Sequence, residues 1–147
     1  MPPMGAPIVV AVFNTSEDTT DMLRVSLENA GYVVVTAFTN ALRDGKVDLD
    51  AFMRQHRPAV VVYDIALPYD ANWRLFEHIK AAPTARGVQF VLTSTNAAQV
   101  RKVAGNDQDI LEIIGKPYDL GQLIASVGEA ALRHKKGFSP TSPSDAR

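Results

Sequence analysis

Asp64, Thr93, Ser94 and Lys116 each stand at the end of a strand-like apolar run, and Asn14 and Thr15 close the first such run. If those ends lie side by side, a carboxylate, a hydroxyl and an ammonium group converge in one cleft. In plainer structural terms the same residues are a strand-end ion pair, Asp64 with Lys116, beside an ordinary hydroxyl. Other chemistries lack their residues. The chain has no cysteine, so disulfides, thiolate metal sites and a cysteine nucleophile are all excluded. His56, His78 and His134 are scattered without ligand spacing, so metal binding by histidine is not expected. No Gly-rich loop follows the first run, where cradling of a nucleotide phosphate needs one.

The elements that must position these groups follow from alternating patterns. Ile8 to Phe13 is a continuous β-branched run, as expected of a parallel strand buried on both faces. Asn14, Thr15 and Ser16 then offer N-cap chemistry, and Glu17 and Asp18 suit the positive end of a helix dipole. Leu23, Leu27 and Ala30 recur at helical spacing, and Gly31 sits where a left-handed residue ends a helix. Val33 to Ala37 predicts a second strand. After a loop, Leu49, Phe52, Met53 and His56 predict a helix capped by Asp48. Ala59 to Tyr63 is the third strand, followed by Asp64 and then by a helix carrying Trp73, Phe76 and Ile79. Gln89 to Thr93 is the fourth strand, and a fourth helix is anchored by Val100 and Val103. A loop from Gly105 to Asp109 leads to a short fifth strand near Leu111 to Ile114, then to Gly115, Lys116 and Pro117. The final helix is capped by Asp119 and places Leu120, Leu123, Ile124, Val127 and Ala131 on one stripe. Five strands alternating with five helices call for right-handed crossovers and a doubly wound five-stranded parallel α/β sheet, (βα)5 and flavodoxin-like. In such sheets ligands bind beyond the carboxyl ends of the strands, where the strand order reverses.

Composition bounds the rest. The chain of 147 residues has 15 Lys+Arg, 16 Asp+Glu and 46% hydrophobic residues, which fits one domain with a single core. No apolar run approaches the roughly 20 residues of a membrane-spanning helix. Residues 1–7 read as a flexible lead rather than a signal peptide, and an intracellular, cytoplasmic location is the expectation. The folded domain is expected over 8–133, with 134–147, rich in Gly, Ser, Pro and Thr, disordered. Residues 1–132 carry 11 basic and 15 acidic groups, so no basic face for nucleic acid is implied. The basic cluster from Arg133 to Lys136 reads as a solvated helix end.

Over residues 8–133 the chain resembles a response-regulator receiver domain of the CheY-like fold. The resemblance rests on Asp64 at the end of a Val-rich strand, Leu67-Pro68 just after it, Leu92-Thr93-Ser94, Lys116-Pro117, and the Gly31-Tyr32 helix exit, in this order and in these strand contexts. It implies the strand order 2-1-3-4-5 and a place in bacterial two-component phosphorelay signalling. It makes Asp64 the phosphoacceptor, has Thr93 and Lys116 contact phosphoryl oxygens, and makes Asp64 and the backbone carbonyl of Ala66 ligands of Mg²⁺. A carboxylate can attack a phosphoryl group to give a mixed anhydride, the protein supplying alignment and charge neutralisation. A cis bond is common at the position matching Lys116-Pro117. The partners implied are a histidine kinase or phosphotransfer protein and a downstream signalling protein, with a homodimer through the fourth helix, fifth strand and final helix as a further possibility.

The sequence departs from the pattern in three places. Receivers place two adjacent acids after the first strand, where this chain has Asn14 and Thr15. The pocket is then formally neutral, Asp64 against Lys116, and a hard cation such as Mg²⁺ is expected to bind it weakly. Glu17 and Asp18 either rescue the site through a remodelled first loop or are surface charges at the helix start. Ile113 stands where many receivers carry an aromatic switch residue, and the stretch into the fifth strand is longer than usual. Three functions are compatible with these residues, the first being the expected one and the other two its alternatives. One is a stand-alone receiver, with no output domain expected and at most self-phosphorylation from a phosphodonor and slow autodephosphorylation. The second is a phosphorylation-independent pseudo-receiver that docks a partner protein. The third is a small flavodoxin-like flavin or nucleotide binder.

Overall fold

The computed structural model describes residues 7–105, 109–116 and 118–137. In chain order the elements are β1 (Val9–Asn14), α1 (Glu17–Asn29), β2 (Val33–Phe38), α2 (Thr39–Arg43), α3 (Leu49–His56), β3 (Val60–Ile65), α4 (Tyr69–Ala81), a 3₁₀ turn (Pro83–Ala85), β4 (Gln89–Ser94), α5 (Ala97–Ala104), β5 (Ile110–Gly115) and α6 (Leu120–Gly137). The strands form one parallel sheet in the order β2-β1-β3-β4-β5. This is the doubly wound α/β architecture that the alternation of apolar runs and helical stripes predicts.

The sheet divides the interior into two cores, where composition alone suggests one. Successive side chains on a strand point to opposite faces. Val10, Val12, Val60, Val62 and Val91 therefore meet Leu23 and Leu27 of α1 and Leu123, Val127 and Ala130 of α6. On the other face Phe13, Tyr63, Phe90 and Leu92 meet Met53 of α3, Phe76 and Ile79 of α4, and Val100 of α5. Every residue of β3 is buried, which explains why its sequence is a continuous apolar run instead of an alternating one.

Local signals set the element ends. Ser16 caps α1, its Oγ accepting from the Thr19 amide at 3.2 Å, and Asp48 caps α3 by accepting from Ala51 at 3.1 Å. Gly31 leaves α1 with φ of +103°, a conformation that an L side chain resists. Elsewhere the boundaries shift. Residues 39–43, expected as loop, make the five-residue α2 with no side-chain cap. Thr39 and Leu42 of this helix are buried, so tertiary packing supplies what local propensity does not. Asp64 lies inside β3 rather than just beyond it. Val103, expected as an anchor of α5, is 48% exposed, whereas Val100 is buried. The last helix runs to Gly137, so 134–137 are helical where the composition suggested disorder. Residues 1–6 of the lead, 138–147 of the tail, 106–108 and Pro117 lie outside the described residues. Among the described residues no helix is long and apolar enough to cross a membrane.

Candidate functional site

Parallel pairing brings the site together. Asp64 of β3 is in register with Thr93 of β4, so the two side chains leave adjacent strands on the same face. The Thr93 hydroxyl donates to Asp64 Oδ1 at 2.7 Å. Lys116 follows β5, its amide donating to the Ser94 carbonyl at 2.9 Å, which ties the ends of β4 and β5 together. From there its Nζ reaches the same Asp64 Oδ1, also at 2.7 Å. Asp64 is only 3% exposed, and a buried carboxylate is tolerated when it is paired and hydrogen-bonded. Lys116 and Thr93 meet both conditions. The three residues named from sequence as one cleft are thus in direct contact, although 52 positions separate Asp64 from Lys116 along the chain.

The positions after β1 are engaged differently. Asn14 is buried, and its Oδ1 accepts from the Ser16 amide at 2.9 Å, so the side chain shapes the turn into α1. Thr15 is exposed. Glu17 and Asp18 form the first turn of α1 and are exposed, where carboxylates complement the helix dipole. Ser94 is also committed to structure, donating to the Ile65 carbonyl and accepting from the Asn96 amide, each at 3.1 Å. Ile113 is buried in the core that contains Val100, and its carbonyl accepts from the Arg101 guanidinium at 2.8 Å. The peptide bond between Lys116 and Pro117 involves a residue outside those described, whereas the Leu67–Pro68 bond is cis.

One site residue escaped the sequence reading. Asn72, on the first turns of α4, is buried, and its Nδ2 donates to the Ala66 carbonyl at 2.7 Å and the Pro68 carbonyl at 3.2 Å. Its signal was present: Asn72, Phe76 and Ile79 fall at i, i+4 and i+7, so an amide occupies the apolar stripe of this helix. Tyr69, the first residue of α4, and Thr95, in the loop after β4, are joined through their hydroxyls. Burial, and then the nearby Asp64 charge, push the Tyr118 hydroxyl's pKa upward. The Tyr63 hydroxyl, buried without a hydrogen-bond partner, is shifted far upward, chiefly by desolvation.

The Mg²⁺ that the receiver resemblance implies can be tested against this donor set. It does not fit. Asp64 Oδ1 already bears a cation and a hydroxyl, the Ala66 carbonyl is engaged by Asn72, and Glu17 and Asp18 are exposed on α1. Among the described residues no three His, Cys, Asp or Glu side chains cluster as a metal site. Mg²⁺ gives up water reluctantly, and one lysine-paired carboxylate offers it little in exchange.

No family model and no curated protein matches this sequence. Solved structures do. A sensor protein from Polaromonas sp. JS666 superimposes with a TM-score of 0.69 at 20% identity, over 88% of this chain and 99% of that one. The chemotaxis response regulator CheY4 of Vibrio cholerae gives 0.67 at 18% identity, over 85% of this chain and 99% of its own. A CheY-like response regulator receiver domain protein from Methanospirillum hungatei JF-1 gives 0.71 at 17% identity, over 90% and 99%. At such identities the likeness speaks to the fold and not to activity. The chain has the fold of the CheY-like receiver domains, with an aspartate, a threonine and a lysine gathered at the carboxyl edge of its sheet.

Proposed function

We propose that this chain is a signalling module of the two-component type, not an enzyme, and that it works as a phosphorylation-independent pseudo-receiver docking a partner protein. The observation that carries this reading is the state of Asp64: a single oxygen, Oδ1, holds both the Lys116 ammonium and the Thr93 hydroxyl at 2.7 Å. The pocket is formally neutral, and this oxygen is already engaged twice. In metal-assisted phosphoryl transfer the cation offsets negative charge as a phosphoryl group approaches a carboxylate. Here Asn14 and Thr15 supply no charge to hold that cation, and Asn14 is occupied by the turn after β1. The docking surface would be α5, β5 and α6, with Val103 half exposed on α5.

A second reading is favoured by the convergence of Asp64, Thr93 and Lys116. In it Asp64 is a phosphoacceptor. A carboxylate oxygen forms a bond to the phosphorus of a phosphohistidine on a histidine kinase or phosphotransfer protein, while the phosphorus–nitrogen bond breaks and its electron pair stays on the imidazole. Thr93 and Lys116 then hold the phosphoryl oxygens, which requires Lys116 to move from the carboxylate to the new group. Incubation with acetyl phosphate and Mg²⁺ followed by intact-mass measurement separates the two. The pseudo-receiver reading expects an unchanged mass, and a labile phosphate adduct that disappears in Asp64→Asn establishes the second reading instead.

A further inference from the structure

Resting on the pseudo-receiver reading, we propose that Asn72 closes the metal position of this site and does a cation's structural work in its place. The Ala66 carbonyl is the backbone oxygen that the receiver resemblance assigns to Mg²⁺, and Asn72 Nδ2 holds it at 2.7 Å. The same amide nitrogen reaches the Pro68 carbonyl at 3.2 Å, so it clamps both ends of the 66–68 turn. The two carbonyls differ in how much they depend on it. Pro68 O also accepts the Asn72 backbone amide at 3.1 Å, whereas the Ala66 contact is made by the side chain.

The clamp is built into the fold. Asn72 is 5% exposed on the apolar stripe of α4, where an amide without partners is costly. Pro68, the residue preceding α4, makes no side-chain cap, so Asn72 ties the helix start to the turn from inside the helix. At the other end of the turn the Ile65 carbonyl is held by Ser94 Oγ at 3.1 Å. The turn beside Asp64 is therefore fixed by protein hydrogen bonds from two directions. A divalent cation arriving there has to share the Ala66 carbonyl with the Asn72 amide, which already draws on that oxygen.

This device is separable from the missing acids. Four proteins distinguish them: the parent, Asn72→Ala, Asn14→Asp/Thr15→Asp, and the triple variant. Mg²⁺ is titrated into each while the emission of Trp73, the single tryptophan and the neighbour of Asn72, is followed. The parent and Asn72→Ala are expected to show no saturation. With the acidic pair restored, removing Asn72 is expected to tighten Mg²⁺ binding about fivefold, the factor that one ordinary hydrogen bond is worth. Equal or weaker binding by the triple variant overturns the clamp and leaves the pseudo-receiver reading standing. Saturation in the parent overturns that reading directly. If neither restored variant binds, metal-free hydrogen exchange decides. The amide of residue 72, which donates to the Pro68 carbonyl at 3.1 Å, is expected to exchange about tenfold faster in Asn72→Ala, by loss of the local protection that the clamp provides. Unchanged exchange there refutes the proposal.

Discussion

Replacing Lys116 by Met keeps an unbranched side chain of similar length and removes the ammonium from Asp64. The carboxylate is then 3% exposed with Thr93 Oγ1 at 2.7 Å as its remaining close partner. Breaking a buried ion pair from one side costs about 3–5 kcal/mol. The Lys116 side chain is 27% exposed, so water can reach the vacated position and soften the penalty; we expect about 2 kcal/mol. In a domain of this size that lowers the melting temperature by about 8 °C. Asp64→Asn leaves a lysine that can turn to solvent, and an amide oxygen that still accepts from Thr93. Its expected cost is about 1 kcal/mol. Thermal and urea unfolding of both single variants and the double variant complete a cycle whose coupling is expected to exceed about 1 kcal/mol. If Lys116→Met melts within about 1 °C of the parent, or if the two changes simply add, the contact does not hold the site together and the reasoning fails.

Three further outcomes follow from the same structure. Tyr63→Phe deletes a buried hydroxyl that has no partner, so stability near neutral pH is expected to stay level or rise by up to about 1 kcal/mol. Because burial raises the Tyr63 pKa in the folded chain, its contribution is intact below about pH 10, where the unfolded tyrosine titrates, and is lost as pH rises above that. Urea unfolding at stepped alkaline pH should therefore show a shallower decline in Tyr63→Phe than in the parent. Ser16→Ala removes the cap of α1 and is expected to cost about 1 kcal/mol in urea unfolding. Phe76→Ala empties a position whose ring lies 5.1 Å from Trp73, 5.1 Å from Phe90 and 5.5 Å from Tyr63 between centroids. It is expected to cost about 3–5 kcal/mol and to shift the Trp73 emission of the folded state.

The fold was readable because its physics is periodic. A strand buried on both faces must be apolar throughout, and β3 is; a helix lying on a sheet must repeat its apolar side chains, and α6 does so at Leu123, Val127 and Ala130. The Asp64, Thr93 and Lys116 cluster was legible for a related reason. Strand ends in a parallel sheet share one edge, so residues ending different runs become neighbours. What escaped depends on contacts between elements. The α2 helix owes its form to burial of Thr39 and Leu42 rather than to caps. Asn72 shows its place on the apolar stripe of α4 by spacing, but its role waits on its two carbonyl partners. Val103 has the helical spacing of an anchor but faces outward, because α5 buries only its Val100 side against the sheet.

A Mg²⁺ titration of the unmodified protein through the millimolar range, followed by Trp73 fluorescence and by backbone amide shifts of residues 64–67 and 69, bears most directly on whether this site is set by its own lysine. The structure predicts no saturable change at those residues, because Lys116 already neutralises Asp64 and the neighbouring carbonyl is engaged. A saturable response that vanishes in Asp64→Asn would contradict it, and would return the cleft to the class of metal-dependent phosphoacceptors.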